Sequence, residues 1–89
     1  MLRSTDIAHQ HFSTVTLREG YDINQVDEYL GLIRAALEAR ERGFSTALAA
    51  TDVVNIRFAT TRFRQGYNQD EVDNFLDAVV ATLREHGSV

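Results

Sequence analysis

FSTVTLREGYDINQVDEYLGLI, from Phe12 to Ile33, returns 46 residues later as FATTRFRQGYNQDEVDNFLDAV, from Phe58 to Val79. At that offset residues 2 to 38 match residues 48 to 84 at 13 of 37 positions without a gap. The identities include Phe12/Phe58, Arg18/Arg64, Gly20/Gly66, Tyr21/Tyr67, Val26/Val72, Asp27/Asp73, Leu30/Leu76 and Leu37/Leu83. Self-similarity at a fixed period identifies the folding unit. The chain therefore divides into a first repeat over residues 1–43 and a second over residues 44–89, expected to share one core because 89 residues are few for two independent ones.

Within each copy the apolar spacing is helical. Val26, Leu30, Ile33 and Leu37 lie 4, 3 and 4 residues apart, and Val72, Leu76, Val79 and Leu83 repeat the spacing. This is the seam of a packed helix, about two heptads long, shorter than a sustained coiled coil and suited to a bundle. The starts of the long helices are written in cap chemistry. Asp22 with Gln25, and Asn68 with Glu71, have the spacing of N-cap and N3 in a capping box. Tyr21 and Tyr67 precede the caps, with Val26 and Val72 placed as staple partners, and Gly20 and Gly66 mark a positive φ or a close backbone approach. Asp27, Glu28, Asp70, Glu71 and Asp73 load the first turns with the sign that the helix dipole favours. Gly43 is the expected C′ residue of a first long helix over 23–42.

Upstream, TDIAHQHF from Thr5 and TDVVNIRF from Thr51 each predict a short helix, closed by Phe12 or Phe58 entering the core. With no Pro in the chain, the expected fold class is all-α: two tandem short helix, loop, long helix repeats packed as a small helical bundle. A helix over 45–58 would return the chain and set the long helices side by side as a pseudo-symmetric parallel pair. Copies swapped between two chains satisfy the same local rules, so monomer, homodimer and swapped dimer all stay open.

Composition narrows the function. The formal net charge of −4 and the pI of 5.2 weigh against nucleic-acid binding by the whole surface. No Cys is present, so neither a disulfide framework nor a thiolate metal site is expected. Nothing apolar follows Met1-Leu2-Arg3 and no window approaches the ~20 apolar residues of a membrane span, which predicts a cytoplasmic protein. There is no Gly-rich phosphate loop or nucleophile motif, and His9, His11 and His86 lack a Ser-Asp framework, so no catalytic residue, cofactor or metal is expected. His9 and His11, two apart, make a poor metal pair on a helix.

The pattern of Phe12 and Phe58, then Arg18-x-Gly20-Tyr21 and Arg64-x-Gly66-Tyr67, then Val26-Asp27-x-Tyr29-Leu30 and Val72-Asp73-x-Phe75-Leu76, resembles the N-terminal domain of the DivIVA family of bacterial cell-division and polar-growth scaffolds, in a small actinobacterial-type form carrying two tandem copies. GYNQDEVDNFLDAV is especially close to the family's wording, while the first copy departs at Gly31, where the second has Asp77. The resemblance implies a parallel helical pair whose loops project apolar and basic residues to the cytoplasmic membrane face. On this chain those tips are Leu17-Arg18 and Phe63-Arg64, with Arg57 and Arg62 adding charge to the second. Each Arg near an anionic leaflet is worth about 1 kcal/mol. Arg18 is offset by Glu19, so the first tip is expected to bind membrane weakly. The family's long coiled-coil tail is not in the sequence, which favours an adaptor contacting division or growth proteins over a filament-forming scaffold. The competing readings are Phe63 packed beside Phe58 with Arg62 and Arg64 paired to Asp70 or Asp73, and nucleic-acid binding by the three Arg and three aromatics of residues 56–67.

Overall fold

Asp22 and Asn68 fix where the two long helices begin. In the computed structural model, which describes residues 2–87 and side chains through Glu85, Asp22 Oδ1 accepts from the Gln25 amide at 3.0 Å and Asn68 Oδ1 from the Glu71 amide at 3.0 Å. His86 thus lies outside the described side chains, and the ends of the two repeats, Met1, Ser88 and Val89, outside the described residues. In chain order the described residues form α1 (Ser4–Ala8), β1 (Thr14–Val15), β2 (Gly20–Tyr21), α2 (Ile23–Glu41), α3 (Ala50–Asn55), β3 (Thr60–Thr61), β4 (Gly66–Tyr67) and α4 (Gln69–Gly87). α2 ends as its sequence dictates. Gly43 takes φ +85°, its amide bonds Arg40 O at 3.0 Å, and the Phe44 amide bonds Ala39 O at 2.8 Å, the two bonds of a Schellman motif. The return helix is shorter than expected: only 50–55 is helical, and the backbone over 44–49 is irregular.

The fold is not all-α. Four two-residue strands form one antiparallel sheet in the order β1-β4-β2-β3. Each strand pairs across the repeat boundary: Thr14 faces Tyr67, Val15 faces Gly66, Gly20 faces Thr61 and Tyr21 faces both Thr60 and Tyr67. The Tyr21/Tyr67 pair sits at a pseudo-two-fold centre, since exchanging the repeats reverses the strand order onto itself. Strands this short leave no alternating pattern, and their partners lie in the other copy, so local periodicity cannot reveal them.

The register has a topological consequence. β1 and β2 flank β4 and both run antiparallel to it, so residues 16–19 must cross β4. Residues 62–65 cross β2 in the same way. Each loop is an arch over the other repeat's Gly-Tyr strand. This explains Gly20 and Gly66, neither of which has a positive φ. A Cβ on Gly20 would lie 2.9 Å from Tyr67 O and 2.9 Å from Val15 Cγ2; one on Gly66 would lie 3.0 Å from Tyr21 O and strike Thr61 Oγ1.

α2 and α4 leave the sheet from adjacent strands and run parallel. At the far end Arg40 Nη1 donates to Leu83 O at 3.4 Å. Between these ends Val26, Ile33, Leu37, Val72, Val79 and Leu83 are each at most 1 % exposed; Leu76 is buried and Leu30 half-buried in the same core. Each short helix packs on the long helix of its own repeat, contributing Ile7 or Val53 to that core. The Ser4 amide and hydroxyl reach Glu41 at 2.8 and 2.7 Å, and the Leu2 amide reaches Thr82 Oγ1 at 3.0 Å. Among the described residues no helix is long and apolar enough to cross a membrane.

Candidate functional site

The two arches project from the sheet end of a molecule 43 Å long. Leu17 is 82 % exposed on the first and Phe63 is 75 % exposed on the second. Phe63 has a second peculiarity. Its φ is +63°, the only positive value at a non-glycine among the described residues. A left-handed backbone costs a side-chain-bearing residue about 1–2 kcal/mol. Arg62 and Arg64 flank it, both exposed. Arg64 Nη2 lies 3.7 Å from Asp22 Oδ2, the α2 cap, so it pairs with neither Asp70 nor Asp73. Arg18 makes no such pair, its equivalent cap being the uncharged Asn68.

The base beneath the arches is held by exchanged side chains. Phe12 packs edge-on against Tyr67 and Phe75, with ring centres 5.3 and 5.7 Å away. Phe58 packs against Tyr21 and Tyr29 at 5.4 and 5.9 Å. The Tyr21 hydroxyl donates to Asp73 at 2.8 Å and the Tyr67 hydroxyl to Asp27 at 2.7 Å. Burial first, then the hydrogen bond to Asp73, pushes Tyr21 up to about 12. Burial and the bond to Asp27 push Tyr67 up to about 12 in the same way. Burial, followed by the charge of Asp52, also raises Tyr29, whose hydroxyl has no partner among the described residues.

The capping boxes are opened to the same end. Gln25 Oε1 accepts from the Ala59 amide at 2.7 Å, and Glu71 Oε1 from the Ser13 amide at 2.7 Å. The cap amides in turn donate to Ala59 O and Ser13 O at 2.9 and 2.8 Å. N3 side chains that a box would turn onto their own caps instead clamp the opposite repeat.

Arg57 is not brought to the tip. Its Nη1 bonds Ile56 O at 2.9 Å and Val54 O at 3.4 Å, on the wall of a groove of about 740 Å³ between α3, the segment leading to β3, and α4. Val53, Val54, Ile56 and Val80 give this groove an apolar wall, and Glu19, Asp73, Asp77 and Arg84 charge it. Asp77 and Arg84 take no hydrogen bond or ion pair among the described residues. No sequence motif marked the groove: apart from Glu19 and Tyr21 its walls come from α3, the segment after it and α4 of the second repeat, which only the packing brings together, and the open acid Asp77 on the face of α4 next to Asp73 was the one local hint.

Of the aromatics in residues 56–67, Phe58 and Tyr67 are turned into the cross-repeat packing, leaving Phe63 as the one that could stack on a base. This removes most of what the segment offered to nucleic acid. Among the described residues no group of three or more His, Cys, Asp or Glu is placed to hold a metal ion; His9 Nδ1 lies 2.9 Å from Thr5 O. Comparison with protein-family models, with curated proteins and with solved structures finds no match to the chain.

Proposed function

We propose that the chain is a non-catalytic, DivIVA-like adaptor of bacterial cell division or polar growth that works at the cytoplasmic membrane face. The observation that carries this reading is Phe63, 75 % exposed at φ +63° between Arg62 and Arg64. Strain at an exposed apolar residue costs stability in the isolated protein, so it points to a contact made elsewhere. An apolar ring between two guanidinium groups suits an anionic leaflet, the ring entering among headgroups while Arg62 adds about 1 kcal/mol and Arg64, paired with Asp22, adds less. One wedge and two charges give reversible binding, as suits an adaptor.

The groove beside α4 serves the second contact, with a protein partner. Its apolar wall favours an amphipathic segment, and its three carboxylates against Arg84 and the backbone-bound Arg57 favour a cationic one. Co-sedimentation with phosphatidylglycerol vesicles, against phosphatidylcholine vesicles, tests the membrane contact. Wild-type protein should pellet with the anionic vesicles at low salt, and the variant carrying Phe63→Ser with Arg64→Ala should stay in the supernatant. Equal pelleting of the two would remove the membrane from the reading and leave the groove alone.

A further inference from the structure

The two repeats build the same groove in outline and different grooves in chemistry. The counterpart in the first repeat measures about 310 Å³ against about 740 Å³. At the repeat offset Asp73 has its equivalent in Asp27, and each carboxylate receives a tyrosine hydroxyl from the opposite repeat. The other walls diverge: Val54 becomes Ala8, Ile56 becomes Gln10, Asp77 becomes Gly31 and Val80 becomes Arg34.

We infer that duplication has made the chain one-sided, so that only the second repeat's groove takes a cationic amphipathic segment, and one chain engages one partner. This rests on the reading of the groove given above. In the first groove Gly31 removes the second acid, and Arg34 adds a cation to a wall whose remaining carboxylate is Asp27. Its lining holds one carboxylate and one guanidinium group, against three carboxylates and two guanidinium groups in the second groove. The apolar wall has gone too: three positions that are Val, Ile and Val in the second groove are Ala, Gln and Arg in the first. Two identical copies would present two equivalent sites, whereas this chain presents a partner site on one flank only.

The test is a titration of the full chain, labelled with ¹⁵N, using a short acetylated and amidated helical peptide of Ala, Leu and Arg with Leu and Arg on one face. The amides of Val54, Asp77 and Val80 should shift, those of Ala8, Gly31 and Arg34 should stay, and calorimetry should give one peptide per chain. Asp77→Asn, at an exposed position, should weaken binding about tenfold or more, the loss of one charge-assisted contact. Gly31→Asp with Arg34→Val should open the second site and raise the stoichiometry to two. Shifts in both grooves of the wild type would overturn the one-sidedness and leave the groove reading standing, and a stoichiometry that stays at one in that double variant would overturn its assignment to Gly31 and Arg34. Shifts in neither groove would overturn both.

Discussion

Phe63 and the two cross-repeat tyrosines carry opposite kinds of energy. Phe63 gives up stability to stand where it does, so Phe63→Gly should leave the thermal midpoint at or slightly above the wild-type value, relief of about 1 kcal/mol being partly offset by the freedom glycine adds to the unfolded chain. Phe63→Val, β-branched at the same φ, should lower the midpoint, and both variants should lose vesicle binding. A midpoint that drops for Phe63→Gly would mean that the ring supports the fold. Tyr21 and Tyr67 instead stabilise as neutral donors, with hydroxyls raised from 10.0 to about 12. The sign follows from linkage: their contribution is fully present below pH 10, where tyrosine in the unfolded chain is still protonated, and is lost as pH rises toward 12. Chemical denaturation from pH 8 to 12 should show stability falling in that window, and the double variant Tyr21→Phe with Tyr67→Phe should start about 1–2 kcal/mol lower and fall less steeply.

The helices were legible because their signals are local. Asp22, Asn68 and Gly43 act within four residues of themselves, and the seam needs only the helical period; all of these could be read without knowing what faces them. The sheet was not legible, because Thr14, Val15, Thr60 and Thr61 are β-branched pairs too short for alternation whose partners lie in the opposite repeat. Gln25 and Glu71 mark the boundary between the two cases. Their spacing from the cap was readable, but their side chains serve Ala59 and Ser13. Replacing both by Ala should therefore cost more than two exposed helix positions usually do, about 2 kcal/mol in all, since two strand-flanking amides lose their acceptors. Hydrogen exchange locates the loss. The Ser13 and Ala59 amides should lose protection in the double variant while the α2 interior keeps it, whereas a true capping box would loosen Asp22 and Asn68 first. The tips were half legible: Leu17 and Phe63 were marked as loop residues, but nothing local told that Arg57 would fold back onto its own carbonyls.

Interlocking makes the two repeats a single thermodynamic object. Each arch crosses the other repeat's strand, each N3 side chain closes the other's backbone, and the seam residues Val26, Ile33 and Leu37 share one core with Val72, Val79 and Leu83. The linker over 44–49 makes this association intramolecular, replacing a concentration-dependent step with a fixed effective concentration. For the intact chain of 10.0 kDa, light scattering should give the monomer mass, and the unfolding midpoint should be independent of protein concentration. Cutting between the repeats reverses this. Residues 1–43 and 44–89 mixed in equal amounts should recover the helical circular dichroism of the parent, with a midpoint that rises with concentration. Each half alone, diluted, should lose its helices, because a lone long helix of this length exposes its seam and is marginal in water. The second repeat should pair with itself less well than with the first: a self-pair would place Arg64 beside Asn68 and lose the ion pair to Asp22. Analytical ultracentrifugation of the separate and mixed halves measures that preference, and equal or tighter self-association of residues 44–89 would show that the chain's asymmetry lies in its surfaces alone.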